Sequence, residues 1–201
     1  MFYETAAGHP LKHDPFKAIV VPRPIGWISA VDREGRVNLA PYSFFNAVSA
    51  KPDMVAFSSE GVKDALTFAQ ETGEFVASLA TWDLRDAVNA TSAPLPRGES
   101  EFAHAGLTPA PSRLVRPPRV AESPVALECK LLQVVPLTSL EGVTTYHLAI
   151  GQVVGVHIDE RFLKDGVLDT AAMKPIARAG YRDYFVCTEE TRFSITRPPG
   201  G

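Results

Sequence analysis

Between Ser58 and Asp64 the chain reads Ser-Ser-Glu-Gly-Val-Lys-Asp, and residue types in this order have a definite chemical use. The Ser58 and Ser59 hydroxyls, the backbone freedom at Gly61 and the Lys63 ammonium stand at the mouth of a helix expected from Lys63 to Glu71, with Leu66 and Ala69 on its apolar side. Unpaired backbone N–H groups at a helix start attract an anion, and hydroxyl and ammonium groups add charge-assisted hydrogen bonds. The chemistry indicated is a phosphate anchor. The same residues also make an ordinary cap, because serines before a helix satisfy orphan amides without any ligand. On these residues alone both uses stand.

The elements that must position this stretch lie on either side of it. Ile25 to Val31 is apolar on both alternations, the pattern of a strand covered on both faces. Asp32 to Arg36 supplies a turn, with Gly35 free to take positive φ, and Val37 to Ala40 returns as the paired strand. An extended segment leads to a further short strand, Met54 to Phe57. After the helix, Gly73 is a fitting C-cap, Phe75 to Ala80 is a strand, and Leu84 to Asn89 is a helix with Asp83 as N-cap. From Thr91 to Arg119 prolines and glycines enforce a loop, with a turn of helix at Glu101 to Ala105. A loop that long is functional or covers something. Its last part, Arg113 to Arg119, alternates arginine with proline and reads as an extended, solvated connector.

Two long apolar runs, Ala126 to Val135 and Tyr146 to Ile158, flank a turn at Glu141 and Gly142 and form a second hairpin, which with the first can close a barrel. Gly151 and Gly155 mark close approach of another group, a bulge or a barrel corner. From Arg161 to Thr196 large apolar residues recur without a helical period, as in an irregular tail that wraps the barrel or its partner.

With 201 residues, 45% hydrophobic and 21% charged, one globular domain is expected. A formal charge of −3 and a pI near 6.0 give no electrostatic reason to propose nucleic acid or an anionic membrane. Met1 to Phe16 lacks the apolar run of a signal peptide. Cys129 and Cys187 belong to no metal or redox spacing, so free thiols in a reducing cytoplasm are expected. His9 and His13 have helical ligand spacing, but Pro10 and Pro15 oppose a helix, so no metal is expected and the segment reads as a mobile or dimer-docking arm.

The ordered segments RPIGWISAVDREGRVNLAPYSFFNAVSAKP, VAFSSEGVKDAL, ETGEFVASLAT, VNATSAPLPRGESEF, PPRVAESPVALEC and YHLAIGQVVGVHID resemble the flavin reductase-like family of FMN-binding split β-barrels. The resemblance implies a mainly β fold with a few helices, an antiparallel, Greek-key-like closed sheet, and a single domain over 1–201 with an N-terminal arm (1–20) and a C-terminal wrapping segment (161–201). It implies FMN, with Ser58, Ser59, Lys63 and Asp64 at the phosphate. Asn38, Leu39, Ala40, Pro41 and Ser43 suit the pyrimidine edge through backbone amides and the Ser43 hydroxyl, and Trp27 and Phe44 either wall the ring or are plain core. Where the family has a hydroxyl residue after Lys-Asp this chain has Ala65, so either phosphate binding is weaker or it leans on Thr67, Arg23 or Arg178, unless Arg178 is only a surface ion-pair residue.

His147 matches a histidine that recurs near the flavin's open face in the family, where it would orient a hydride donor or offset charge on reduced flavin; otherwise it is structural. No G-x-G-x-x-G is present, so NADH or NADPH would bind transiently over the flavin, and a deazaflavin is a further donor class. The resemblance therefore implies an NAD(P)H:flavin oxidoreductase, a homodimer with FMN near its interface, possessing either a bound or an exchanged FMN that feeds a partner monooxygenase. Two other classes remain: a non-catalytic FMN electron carrier or flavin store of flavoredoxin type, and a barrel whose flavin site has decayed.

Overall fold

The computed structural model describes residues 1–96 and 98–198. After a short helix, Phe16–Ile19 (α1), come Arg23–Pro24 (β1), Gly26–Val31 (β2), Val37–Tyr42 (β3), Phe45–Ala50 (β4) and Asp53–Glu60 (β5). Then follow Asp64–Thr72 (α2), Glu74–Leu79 (β6), Arg85–Ala90 (α3), Glu101–His104 (α4), Pro109–Ala110 (β7) and Arg119–Val120 (β8). The long hairpin is Val125–Thr138 (β9) and Thr144–Ile158 (β10), and the tail holds Leu163–Lys164 (β11), Val167–Leu168 (β12), Ile176–Arg178 (β13) and Tyr184–Val186 (β14).

A 7-stranded antiparallel sheet runs in the order β3-β2-β6-β9-β10-β5-β4. Its edges are β3 and β4, and among the described residues no ladder joins them, so the pairings do not give the closed sheet expected from the sequence. Every residue of β2 is buried, as its doubly apolar pattern requires. One face of the sheet wraps a core of Ile28, Phe57, Phe75 and Ala149, and α2 plugs it with Leu66, Phe68 and Ala69. The other face of β2 and β3 packs Trp27 and Leu39 against Val88, Phe102 and Ile176.

Gly35 and Gly73 both take positive φ where the turn and the helix C-cap demand it. Gly151 combines two of the expected reasons: a β-bulge separates it from Ile150, and a Cβ there would strike the Phe75 ring.

Several boundaries differ from expectation. Lys63 and Leu84 are the N-caps of α2 and α3, so each helix begins one residue later than its pattern indicates, and Asp83 does not cap. The extended segment after β3 is a true strand, β4, whose mostly exposed residues hid the pattern. The tail is not irregular, since β13 pairs with β1 and with β14 in a 3-stranded sheet. The arginine-proline connector is not loosely solvated either. Glu128 accepts the amides of Arg113 (2.8 Å) and Leu114 (2.6 Å), Glu74 accepts that of Arg116 (2.7 Å), and Ser29 Oγ donates to the Pro118 carbonyl. These bonds strap the connector to the sheet, with Val115 and Val120 buried beneath it. Among the described residues no helix is long and apolar enough to cross a membrane.

Candidate functional site

Where β3 and β5 part, a cleft of about 580 Å³ opens. Asn38, Ala40, Pro41, Ser43 and Phe44 form one wall; Ser58, Glu60 and Tyr146 form the other. The start of α2 closes one end with Lys63, Asp64 and Ala65, while Lys17, residues 91–95 and Glu101 complete the rim.

Strand alternation decides which side chains reach this cleft. On β5, Val55 and Phe57 point into the core, so Ser59 shares their face and Ser58 takes the opposite one. Ser59 is fully buried beside the Tyr42 hydroxyl, whose pKa burial pushes up to about 12 against the pull of that neighbour. Neither serine Oγ has a hydrogen-bond partner among the described residues, but only Ser58 lines the cleft. The same alternation acts on β10. Tyr146 lies opposite Glu60 and lines the cleft, whereas His147 lies opposite Ser59, on the face of Ala149, and does not line it.

The pyrimidine-edge stretch is also rearranged by its partners. The antiparallel ladder turns the amides of Asn38, Ala40 and Tyr42 toward β2. The Leu39 amide donates to Glu101 Oε2 at 3.1 Å, and Pro41 has no N–H, as suits an edge strand. Backbone amides of β3 are therefore not what this wall offers. It offers instead the Asn38 carboxamide: Nδ2 donates to Glu101 Oε1 at 2.7 Å, which fixes the amide and leaves Oδ1 as a buried acceptor with no partner among the described residues. Buried polar atoms without partners are rare, and two facing one cleft mark a place where a ligand completes the hydrogen bonding.

Glu101 escaped sequence reasoning because its partners are far away in the chain; the serine that caps α4 one residue earlier is the only local signal. Burial, together with the Asp64 charge, holds its carboxyl above the ordinary glutamate range, despite the hydrogen bonds it accepts from Leu39 and Asn38. Trp27 is not a cleft wall. It is fully buried and its Nε1 donates to Thr91 Oγ1 at 2.8 Å, which anchors the rim segment that begins there. Leu39 is likewise core. Phe44 does border the cleft, with its ring 5.9 Å from that of Tyr146. Arg23 and Arg178 face each other in the β1–β13 ladder and line an adjoining hollow instead.

At the closed end, Lys63 is the N-cap of a helix with no side-chain cap, and it lines the same cleft as Ser58 together with the first residues of α2. The arrangement suits an anionic group on a molecule that also carries a flat, apolar body and an N–H for Asn38 Oδ1. Those are features of FMN, and the residues present fit it.

Comparison with known proteins gives the same direction. Residues 18–174 match the flavin reductase like domain. An uncharacterised protein of Halalkalibacterium halodurans is 38% identical, over 89% of this chain and 87% of its own length. The crystal structure of nitrilotriacetate monooxygenase component B from Bacillus cereus superposes with a TM-score of 0.86 at 33% identity, covering 97% of this chain and 98% of that one. Flavoredoxin of Desulfovibrio vulgaris shares the fold at 23% identity, with a TM-score of 0.77 over 90% of this chain and 93% of its own.

Proposed function

The chain belongs to the flavin reductase like domain family, and on that premise we propose that it binds FMN in the cleft and reduces it with NADH or NADPH. The observation that carries this reading is the convergence of the orphaned Ser58 hydroxyl and Asn38 carbonyl on one cleft, with Lys63 at an uncapped helix start. Lys63, Ser58 and the first amides of α2 hold the phosphate; Asn38 Oδ1 accepts from the pyrimidine N–H; Phe44 and Tyr146 flank the ring. Flavin, when bound, supplies the hydride-accepting chemistry. The protein's part is to fix the ring and leave one face open to the donor. His147 is given no role here, because its strand turns it to the other face.

Similarity to a nitrilotriacetate monooxygenase component supports a further step, in which reduced flavin is passed to a partner oxygenase. We also propose that the single domain works as a homodimer with FMN near the interface. The test is direct: purified protein is mixed with FMN and either nicotinamide cofactor, and nicotinamide absorbance is followed. Oxidation with both flavin and protein present supports the reductase. Tight FMN binding with neither cofactor oxidised, and reduction only by a protein donor, would replace it with the electron-carrier reading.

A further inference from the structure

Beside the cleft lies a hollow of about 440 Å³ that shares Lys17 and Ser43 with it and is walled by Arg23, Arg178 and Tyr184. We propose that this hollow is a second phosphate site, separate from the one at Lys63, and that it takes a phosphate of the dinucleotide hydride donor. The proposal rests on the reductase reading for the identity of the donor, but not for the existence of the site.

The charge in this hollow is uncompensated. Arg23 is only 7% exposed. Its Nη1 donates to the carbonyls of Lys17 (2.5 Å) and Val20 (2.6 Å), its Nη2 donates to that of Ala179 (2.9 Å), and its Nε is buried without a partner among the described residues. Carbonyls satisfy N–H groups but bring no net negative charge, and an unpaired buried charge is costly. Directly across the ladder stands a like charge, Arg178. Its Nη2 donates to the Tyr181 carbonyl at 2.6 Å and its guanidinium lies 4.5 Å from the Tyr184 ring centroid. Lys17 adds a third cation, and among the described residues no carboxylate lines the hollow.

These groups are held rather than loosely gathered. Tyr181 takes a φ of 55°, a backbone conformation seldom used by bulky residues, and its carbonyl accepts from Arg178. Gly180 lies so close to Ala18 that a Cβ would collide with it, which locks the tail against α1 and keeps Lys17 beside the arginines. Fixed guanidinium groups with unspent charge suit phosphate oxygens. Lys63 and Ser58 line the cleft but not the hollow, so two anion sites flank one connected space. A single FMN carries one phosphate; a bound flavin with a dinucleotide donor needs more than one such site.

The test uses the FMN-loaded protein and the variants Arg178→Gln, Arg178→Lys and Lys17→Gln, the last at an exposed position that should not disturb folding. Calorimetric titration with inorganic pyrophosphate should show binding weakened about tenfold in Arg178→Gln and Lys17→Gln, with partial recovery in Arg178→Lys. KM for NADH or NADPH should rise by a similar factor. In Arg178→Gln, whose side chain lines the hollow but not the cleft, KM for N-benzyl dihydronicotinamide, a donor without phosphate, and the affinity for FMN should stay within about twofold. Pyrophosphate binding that is absent in the parent, or equal in all variants, overturns the site. So does a loss of FMN affinity with riboflavin affinity unchanged, which would place the flavin's own phosphate there. Pyrophosphate binding lost as expected, in a protein that oxidises no dihydronicotinamide, upholds the site and removes the reductase reading.

Discussion

Ser58 and Ser59 are chemically identical neighbours, and their environments assign them different work. Both hydroxyls lack a hydrogen-bond partner among the described residues, but Ser58 lines the cleft, while Ser59 lies beside Tyr42 on the core side of the strand. Ser58→Ala should therefore weaken FMN binding by about 1 kcal/mol, the net worth of an ordinary hydrogen bond. Ser59→Ala should leave FMN affinity unchanged within error and act only on stability. Flavin fluorescence quenching and urea unfolding on the two variants check this, and equal loss of FMN affinity in both would refute the strand-face assignment. Lys63 offers the sharper test. Lys63→Ala should weaken FMN binding by roughly 1.5–3 kcal/mol, the range for hydrogen bonds to charged groups, and leave riboflavin binding nearly unaltered. Raising ionic strength should weaken FMN binding more in the parent than in the variant, since part of the attraction is screened Coulomb energy. Strong loss of apo stability with FMN affinity intact would make Lys63 structural instead.

At the scale of elements, the connector over β6 and β9 depends on buried carboxylates. Burial pushes the Glu128 carboxyl upward, but the amides of Arg113 and Leu114 and the His157 ring pull harder, and it ends below the ordinary glutamate range. A carboxyl lowered in the folded state stabilises the fold above its unfolded value and loses that contribution as pH falls through the folded one. Glu128→Gln should cost about 3 kcal/mol at neutral pH, by weakening its charged hydrogen bonds, and should flatten the loss of stability below about pH 4.5. Urea unfolding across that range checks both, and an unchanged acid limb would show that other groups control it. This strap was not legible in the sequence, because Glu128 stands 15 and 14 residues from the amides it accepts and an alternating Arg-Pro run looks solvated. The hairpin of β2 and β3, the helix ending at Gly73 and the β9–β10 hairpin were legible, since apolar period and turn glycines are local signals. The β1–β13–β14 sheet was not: strands of two or three residues carry no period, and their pairing spans most of the chain. The site divides in the same way. The Ser-Lys cluster at a helix start is local, whereas the Glu101 contact to Leu39 joins positions 62 apart, and alternation alone does not say which strand face a cleft will occupy.

For the whole molecule, the outer face of β9 and β10 argues for a second copy. The face of β10 that turns Tyr146 into the cleft continues through Leu148 and Ile150, with Val135 across from Leu148, and all of these are only partly covered. Leu132 and Leu137 on β9 are 51% and 43% exposed. Leu148 also lies opposite Ser58 and Ile150 opposite Ala56, so the apolar face and the cleft are continuous. Monomers seldom leave such a patch in water, and a stable interface buries about 1,000 Å² or more. A partner seated there would border the cleft, which would couple dimerisation to FMN binding by mass action. We predict a dimer in sedimentation at micromolar concentration. Leu148→Arg places a charge at the centre of the patch, and it should shift the protein toward monomer and weaken FMN binding in the same titration. Its melting temperature should lose the concentration dependence that the parent shows, because only an assembly makes stability depend on protein concentration. A parent that sediments as a compact monomer with FMN bound would sink the dimer. A Leu148→Arg variant that is monomeric yet keeps full FMN affinity would separate the interface from the site.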